Sequence, residues 1–451
     1  MASTADPEDG LTDYERLRQE NIRRNEAMLA SVRRKADELS AAIRSAKPKR
    51  GRGRPTGPRQ PGKTLDIPAS SIVLRSAGLS PAYLLPEPHG SGTHLSSSLA
   101  SSILGAAKPP PAGAKTRADG IDAGKELVLK PAHVRRVVTT SILSMRVLPL
   151  VDRTVVAAGD KLGNIGFWDV DGVSEDLYGD GAGVLFRYLP HKSPVAAIVV
   201  HQAAPQKIYS CSYQGEICLM DFEKESFNLV HLWESPVHSL CQAPNHVRCL
   251  YFGDENGVLT LFDERVGKVS TTWDVHDARI NSIEFHPGNA HMLATSSRDR
   301  TACIWDVRSM KTKEPDSLKV FKLDGPTQSA YFSPSGCMLA ITSYNIHGTV
   351  RVFSMDDFEK SHEHNQTGTL PSAFRVIWGW NDTDLYVGKM SNSVDIISVD
   401  VNDSGLSARN NACLWSEYMT SVPFQLSAHP YKVGHLACAN SWGKVFLWTS
   451  A

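Results

Sequence analysis

The sequence predicts an all-β fold: a seven-bladed β-propeller, preceded by an N-terminal helix and a disordered basic linker. Three observations indicate this fold. One complete unit of four short strands spans residues 276–308, partial copies of it recur about every 45 residues, and a chain of 451 residues has room for seven copies and an extension. We therefore expect a helical segment at 1–46, a linker at 47–126 and the propeller at 127–451.

The complete unit carries the strongest signal. Residues 280–285 alternate between apolar and polar, residues 292–296 form a second apolar run, and residues 301–307 contain a Trp-Asp pair. A His before the first strand and a Trp-Asp at the end of the third form the WD-repeat signature. The residues expected to form a buried hydrogen-bonded chain that stabilises this blade are His276, Asp299, a strand hydroxyl such as Ser297, and Trp305.

Six other units repeat the third strand of this pattern. The aligned terminal positions are Trp168, Met220, Phe262, Trp305, Phe353, Ile397 and Trp448. The last unit stops at its third strand, so its outer strand must come from elsewhere. We expect residues 133–138 to supply that strand and close the ring, because closure removes an exposed sheet edge.

The N-terminal extension has two predicted parts. In residues 11–44, a capping box from Thr12 to Glu15 and an uninterrupted apolar stripe predict an amphipathic helix, which docks on the propeller, lies free or binds another protein. The stripe consists of Met28, Val32, Ala36, Leu39 and Ile43. Residues 65–126 are rich in Ser, Pro, Ala and Gly and are expected to be a disordered linker.

Charge is distributed unevenly along the chain. Residues 1–126 hold 20 Lys and Arg against 14 Asp and Glu, a net charge of +6, and the remainder holds 28 against 34, a net charge of −6. Part of the excess lies at 47–63, where Arg52-Gly53-Arg54-Pro55 resembles the core of an AT-hook. A nuclear-localisation patch and a solvated linker are the alternatives, and the first two interpretations predict a nuclear protein. The candidate DNA-binding residues of this segment are Lys49, Arg50, Arg52 and Arg54.

The sequence contains no catalytic constellation, since H-E-x-x-H, a phosphate-binding Gly loop and G-x-S-x-G are all absent. We therefore expect a protein that is not an enzyme and has neither a cofactor nor a metal site. No apolar run approaches the ~18 residues of a membrane span. Most of the eight cysteines lie in or beside predicted strands without a C-x-x-C pair, which predicts buried free thiols. These are Cys211, Cys218, Cys249, Cys303, Cys337 and Cys438.

Several segments together resemble one WD-repeat family. They are residues 158–170 (AGDKLGNIGFWDV), 209–223 (YSCSYQGEICLMDFE), 293–308 (LATSSRDRTACIWDVR) and 364–368 (HNQTG), with the opening LTDYERLRQENIRRNEAML. The family is that of nuclear, DNA-damage-associated proteins related to the small subunit of the UV-damaged-DNA-binding complex. The resemblance spans residues 11–46 and about 133–451. It implies a propeller that binds DNA or chromatin in the DNA damage response.

The resemblance also implies a substrate receptor of a cullin-RING ubiquitin ligase. The recruiting motif of such receptors is an aromatic-Asp-x-Arg at the end of a third strand, and its partner is the ligase adaptor, the large damaged-DNA-binding subunit. The matching residues are Trp305, Asp306 and Arg308, with Arg265 in a second copy that has Phe262 at the aromatic position. The alternative is that Arg308 is a solvated or intrablade arginine.

One departure from the family concerns the inserted hairpin that carries its aromatic wedge. The equivalent loop at 362–372 (HEHNQTGTLPS) has no aromatic residue, whereas a wedge that unstacks bases needs apolar bulk. We therefore do not expect lesion recognition by that mechanism. The basic residues near predicted turns that are candidate phosphate contacts are Lys161, Arg298, Arg300 and Lys389.

Two competing functions stand beside DNA binding. The first is a non-catalytic protein-interaction scaffold with no direct DNA contact, in which the basic segment serves only for nuclear import. The second is RNA binding, which we favour less because no aromatic-rich stacking platform accompanies the basic run in the sequence.

Overall fold

The computed structural model describes residues 99–104, 127–172, 183–344, 348–365, 374–402 and 405–450. The helix predicted at 11–44, the basic segment with Lys49, Arg50, Arg52 and Arg54, and most of the loop at 362–372 lie outside the described residues. The described strands form seven four-stranded antiparallel sheets, which confirms the predicted all-β, seven-bladed propeller. Within these ranges, no helix is long and apolar enough to cross a membrane.

Each blade consists of four strands, numbered here in chain order. Blade 1 contains β2 (Ile142–Val147), β3 (Val155–Asp160), β4 (Ile165–Asp169) and β5 (Val184–Tyr188). Blade 2 contains β6 (Val195–Val200), β7 (Lys207–Ser212), β8 (Glu216–Asp221) and β9 (Ser226–Leu232). Blade 3 contains β10 (Val237–Gln242), β11 (Cys249–Asp254), β12 (Val258–Asp263) and β13 (Lys268–Asp274). Blade 4 contains β14 (Ile280–His286), β15 (Asn289–Ser297), β16 (Thr301–Asp306) and β17 (Lys319–Lys322).

The remaining blades follow the same order, except that the last one takes its outer strand from the beginning of the propeller. Blade 5 contains β18 (Thr327–Phe332), β19 (Met338–Ser343), β20 (Thr349–Ser354) and β21 (Ser361–Asn365). Blade 6 contains β22 (Ile377–Trp378), β23 (Asp384–Lys389), β24 (Ser393–Asn402) and β25 (Gly405–Leu414). Blade 7 contains β26 (Pro423–Ala428), β27 (Leu436–Asn440), β28 (Lys444–Ser450) and β1 (Leu127–Arg136).

The core lies between neighbouring blades. Ile304 of blade 4 belongs to the same apolar cluster as Ala330 and Phe353 of blade 5, so each sheet buries one face against the next. All seven aligned third-strand positions are buried, which explains why the repeat is visible in the sequence. Their burial confirms the alignment from Trp168 to Trp448.

Ring closure occurs as predicted. β1 pairs antiparallel with β28, with Leu129 opposite Trp448 and Arg135 opposite Val445. The strand begins at Leu127, earlier than the predicted residues 133–138, because burial already alternates from Leu127 to Lys130, with Leu127 and Leu129 facing the core. Leu127 and Leu129 are buried in the same apolar cluster as Trp448. The sheet edge of the last blade is therefore covered.

In the segment predicted to be a disordered linker, the described residues form a short helix, α1 (Leu99–Leu104). Leu99 and Ile103, four residues apart, are fully buried in a cluster that includes Phe186 of blade 1 and Phe222 of blade 2. The backbone amide of Ala100 donates a hydrogen bond to the carboxylate of Glu225, at 3.1 Å. Composition did not indicate this helix because its two apolar anchors stand among Ser and Ala residues.

The hydrogen-bonded chain in blade 4 forms through a different hydroxyl from the expected Ser297. Nε2 of His276 lies 2.7 Å from Oγ1 of Thr295, and the indole N–H of Trp305 donates to the same oxygen at 2.9 Å. Ser297 instead donates to the carbonyl of Ala278. The reason is register: Trp305 pairs with Leu293, so the hydroxyl two residues further along β15 is the one within its reach.

The cysteine prediction needs correction at two positions. Cys211, Cys218, Cys303 and Cys438 are buried, but Cys249 is half-buried and Cys337 is exposed. Cys337 lies in the turn before β19, where its sulfur is 3.7 Å from the hydroxyl of Ser333. A position beside a strand therefore did not guarantee burial.

Candidate nucleic-acid interface

The antiparallel order of the strands gives the propeller two distinct faces. In each blade, the turn from the second to the third strand lies at the same end as the connection to the next blade, because successive strands run in opposite directions. We call this end the upper face. The fully described upper turns are residues 161–164, 213–215, 255–257, 298–300, 390–392 and 441–443. The lower face carries the turns from first to second and from third to fourth strands.

The structure brings the four predicted phosphate contacts of the propeller to the upper face. Lys161, Arg298 and Arg300 lie in upper turns and Lys389 ends the strand before one. The first three are exposed and form no ion pair with a described residue. Lys389 differs because its Nζ lies 3.0 Å from the carboxylate of buried Asp395. Its charge is therefore neutralised within blade 6.

The upper turn of blade 4 is held by Asp299. Its Oδ1 accepts the backbone amide of Thr301 at 2.8 Å, and its Oδ2 lies 2.9 Å from Nδ1 of His276. Burial alone would raise the pKa of Asp299, but the hydrogen bonds from His276 and Thr301 lower it below its usual range. Arg300 adopts a left-handed φ of 73°, and it remains exposed together with Arg298 on the other side of Asp299.

Two further arginines lie where the central channel opens on the upper face. Arg279 and Arg375, just before the inner strands of blades 4 and 6, are half-buried. Nε of Arg279 donates to the side-chain oxygen of Asn281 at 2.8 Å, and Nη2 of Arg375 donates to its backbone carbonyl at 3.1 Å. Neither guanidinium is ion-paired with a described carboxylate. The amide of Arg298 donates to the carbonyl of Arg279, which joins the channel mouth to the blade 4 turn.

A β-bulge that recurs near the start of the inner strands forms this mouth. In blades 1 to 5 and in blade 7, the register with the second strand shifts after the first residue pair, which leaves one inner-strand residue without a partner. The residues left unpaired in this way are Leu143, Ala196, His238, Asn281, Gln328 and Phe424. The first five line a cavity of about 250 Å³, together with Arg279 and Arg375. In blade 4, the bulge coincides with a break in the apolar-polar alternation at Asn281-Ser282.

His238 forms a neutral wall of this cavity. Burial, with the nearby charges of Arg279 and Arg375, lowers the pKa of His238 to about 3, so the imidazole is uncharged at neutral pH. Its ring contacts that of Tyr213, with centroids 4.5 Å apart, and its Nε2 lies 2.5 Å from the carboxylate of Glu255. The positive charge of the mouth therefore comes from the two arginines, and Glu255 places one negative charge at its edge.

Exposed aromatic and apolar side chains occupy a second sector of the upper face. Leu162, Met390 and Trp442 lie in the upper turns of blades 1, 6 and 7, and Trp415 and Tyr418 lie in the connection that enters blade 7. Trp415 is 69% exposed and Trp442 is 68% exposed. Large apolar side chains clustered in solvent mark binding surfaces, and flat rings are groups on which nucleic-acid bases stack. The sequence did not show this sector because blades 1, 6 and 7 become neighbours only in the closed ring, whereas Leu162 is far from Trp442 in the chain.

The predicted ligase-adaptor residues lie on the lower face. Arg265 and Arg308 follow the third strands of blades 3 and 4, with 71% and 64% of their side chains exposed. Nε and Nη2 of Arg308 donate to the two carboxylate oxygens of Asp306 at 3.0 and 2.7 Å, and this pairing lowers the pKa of Asp306 to about 2. Arg265 makes a looser contact, 3.9 Å, with Asp263. Trp305 is buried, so its contribution is to hold this turn in place.

The two faces carry groups that bind ligands. The upper face presents guanidinium and ammonium groups, amides and aromatic rings, which bind anions and flat rings. In the part of the chain that the structure describes, no group of three or more His, Cys, Asp or Glu side chains could hold a metal ion.

The blades, the WD hydrogen-bonded chain and the two polar faces define the class of protein as a WD-repeat β-propeller, a fold typical of non-catalytic scaffold proteins. A family model described as "WD domain, G-beta repeat" matches residues 267–306, which cover most of the complete unit. Relatives of the chain carry more specific names, and they confirm the resemblance to a WD-repeat family of damaged-DNA-binding proteins.

Three of these relatives illustrate the range of similarity. The chain is 27% identical over 255 residues to DNA damage-binding protein CMR1 of Coccidioides immitis, which covers 51% of this chain and 48% of that protein. It is 26% identical over 347 residues to DNA damage-binding protein cmr1 of Emericella nidulans, covering 68% and 64%. It is 26% identical over 481 residues to WD repeat-containing protein 76 of Mus musculus, covering 97% and 74%. The matches thus span between about half and two thirds of the length of these two fungal relatives.

Proposed function

We propose that this chain is a nuclear DNA- or chromatin-binding protein of the DNA damage response, and that the upper face of its propeller contacts the phosphate backbone. One observation carries the proposal: Lys161, Arg298 and Arg300 are exposed on the same face and form no ion pair with any residue that the structure describes. Contacts of this kind supply the sequence-independent part of DNA affinity. The two fungal relatives named for binding damaged DNA support the same assignment.

The exposed rings extend the proposal to the kind of DNA that is bound. Trp415 and Trp442 stand on the same face as the basic residues, and stacking of a base on an aromatic side chain contributes roughly 1 to 3 kcal/mol. A regular duplex keeps its bases stacked on one another. We therefore propose that the upper face prefers DNA with unpaired or unstacked bases, and that these two rings supply the apolar bulk missing from the loop at 362–372.

The upper-face assignment is tested by two matched double variants of the full chain. Arg298→Gln with Arg300→Gln should weaken duplex binding and reduce the slope of log affinity against log salt by about 2, since two phosphate contacts are lost. Arg248→Gln with Lys311→Gln removes two exposed charges from the lower face and should change neither quantity. Fluorescence anisotropy at several salt concentrations measures both. Equal losses in the two double variants would contradict the assignment.

The basic segment at 47–63 supports the nuclear location and a second DNA contact. With Arg52 and Arg54 as minor-groove arginines, changing both to Ala should weaken binding to A·T-rich duplex more than to G·C-rich duplex. An equal loss on both duplexes would leave the segment a general electrostatic role.

A second function, recruitment of a cullin-RING ligase, is favoured by the exposure of Arg265 and Arg308 on the face opposite the proposed DNA contacts. A propeller so arranged can hold DNA and an adaptor at once. To bind the adaptor through its planar guanidinium, Arg308 must break its ion pair with Asp306 and pair with a group of the adaptor instead. The double change Arg265→Ala with Arg308→Ala should abolish co-purification of the large damaged-DNA-binding subunit and leave DNA affinity unchanged. If wild type never retains that subunit, the receptor assignment fails and a DNA-associated scaffold remains.

A further inference from the structure

We propose that the cavity at the upper mouth of the channel is a binding site for a phosphorylated serine or threonine side chain of a partner protein. This site is separate from the DNA contacts proposed above, although it opens on the same face. Its two cationic residues are Arg279 and Arg375, and both line the cavity of about 250 Å³.

The first argument concerns unused hydrogen-bond donors. A guanidinium has five N–H donors, and the side chains of Arg279 and Arg375 each donate one hydrogen bond to Asn281 among the described residues. Both side chains are half-buried and neither is paired with a described carboxylate. Partial removal of an unpaired cation from water is unfavourable, so a cavity that holds two of them is suited to an anion.

The second argument concerns rigidity. The side-chain oxygen of Asn281 accepts a hydrogen bond from Arg279, and its backbone oxygen accepts one from Arg375. The side-chain amide of Asn281 in turn donates a hydrogen bond to the carbonyl of Thr327 at 2.7 Å. Asn281 is only 4% exposed, so this arrangement is anchored in the blades and does not depend on a surface side chain. Two guanidinium groups held around one residue are already placed for forked contacts to the oxygens of one phosphoryl group.

The third argument separates a phosphorylated side chain from a DNA backbone. The walls of the cavity include Gln328 and His238, each only 7% exposed, so the site is recessed below the exposed turns. A single projecting side chain can enter such a recess, whereas the phosphates of a duplex meet groups that stand out from the surface, as Arg298 and Arg300 do. The amides of Gln328 and Gln425 can hydrogen-bond to the main chain of an extended peptide.

Glu255 allows a test in which a substitution should increase phosphopeptide affinity. Its carboxylate lies 2.5 Å from Nε2 of His238, which lines the cavity, and it therefore repels an incoming phosphoryl group. Glu255→Gln should tighten phosphopeptide binding, while Arg279→Gln and Arg375→Gln should weaken it. A variant that merely disturbs folding cannot produce the gain.

The experiment measures binding of the full chain to a pool of peptides with phosphoserine at the centre of random residues, and to the same pool with serine. Wild type should bind the phosphoserine pool at least about tenfold more tightly. Arg279→Gln and Arg375→Gln should each weaken this binding about tenfold or more, and the double change should abolish the difference between the pools. Inorganic phosphate should compete for the site. Arg248→Gln, the same change at an exposed lower-face arginine, should have no effect.

Three outcomes would overturn the proposal. The first is equal binding of the two pools by wild type, and the second is phosphopeptide binding by the double variant at the wild-type level. The third is loss of duplex DNA binding in the Arg279→Gln, Arg375→Gln variant without any phosphopeptide binding by wild type. In that case the cavity belongs to the DNA interface, and the proposed DNA function stands without this site.

Discussion

At the scale of single residues, the hydroxyl group of Thr295 connects two buried polar groups of blade 4. The geometry describes one chain, in which the indole N–H of Trp305 donates to Thr295, the hydroxyl donates to Nε2 of His276, and Nδ1–H of His276 donates to Asp299. Each member is satisfied only while the others are in place. The WD residues thus stabilise the blade that carries Arg298 and Arg300.

Thr295→Val should therefore destabilise the protein by roughly 1 to 3 kcal/mol for each buried group left without a partner. Thr260→Val is a matched control, since Thr260 is fully buried in blade 3 and its hydroxyl has no hydrogen-bond partner among the described residues. This control should be neutral or stabilising. Urea unfolding measures both free energies, and similar effects of the two substitutions would show that the chain contributes nothing to stability.

His429 connects protonation to the stability of blade 7. Its Nδ1 accepts the backbone amides of Tyr431 and Lys432 at 3.1 and 3.0 Å, and the ring is fully buried. Burial lowers the pKa of His429 to about 4. A histidine with a lowered folded pKa gains its proton on unfolding between the folded value and about 6.5, so the free energy of unfolding falls as pH falls through that window.

His429→Asn should remove this pH dependence, because an amide oxygen can replace Nδ1 as acceptor but does not titrate. Between pH 7 and pH 4, the free energy of unfolding of wild type should fall by up to roughly 3 kcal/mol more than that of the variant. Urea unfolding at pH values of about 7, 5.5 and 4 tests this. Parallel profiles for the two proteins would contradict the role given to His429.

At the scale of secondary-structure elements, β1 closes the ring by pairing with β28. Leu129, opposite Trp448, is buried, whereas the neighbouring Val128, opposite Thr449, is 41% exposed. Leu129→Ala should lower the free energy of unfolding by about 2 to 5 kcal/mol, and Val128→Ala should have a much smaller effect. Equal changes in melting temperature would mean that the closure is not held by this apolar contact.

The elements also show which parts of the fold were open to prediction. The buried third strands ending near Trp168, Trp305 and Trp448 were predictable because burial imposes a local pattern that repeats seven times. Helix α1 was not, because Leu99 and Ile103 become anchors only when blades 1 and 2 supply an apolar surface. The hydroxyl at Thr295 was also missed, since strand register decides which side chains meet.

At the scale of the whole molecule, the separation of two faces organises the candidate sites. The sequence indicated Lys161, Arg298 and Arg300 one by one, but their common face follows from the strand order. The channel-mouth pair, Arg279 and Arg375, could not be predicted, because residues that are distant in the chain meet there only after seven blades close into a ring. The lower face holds Arg265 and Arg308, away from all of these groups.

The assignment of DNA binding to the upper face can be measured by hydrogen–deuterium exchange of the full chain, with and without a DNA duplex that contains unpaired bases. Slower amide exchange on DNA binding is expected in the upper turns at 161–164, 298–300 and 441–443. Unchanged exchange is expected in the lower turns at 264–267 and 307–311. Saturating DNA that protects the lower turns, or that leaves the upper turns unchanged, would contradict the claim that the upper face binds DNA.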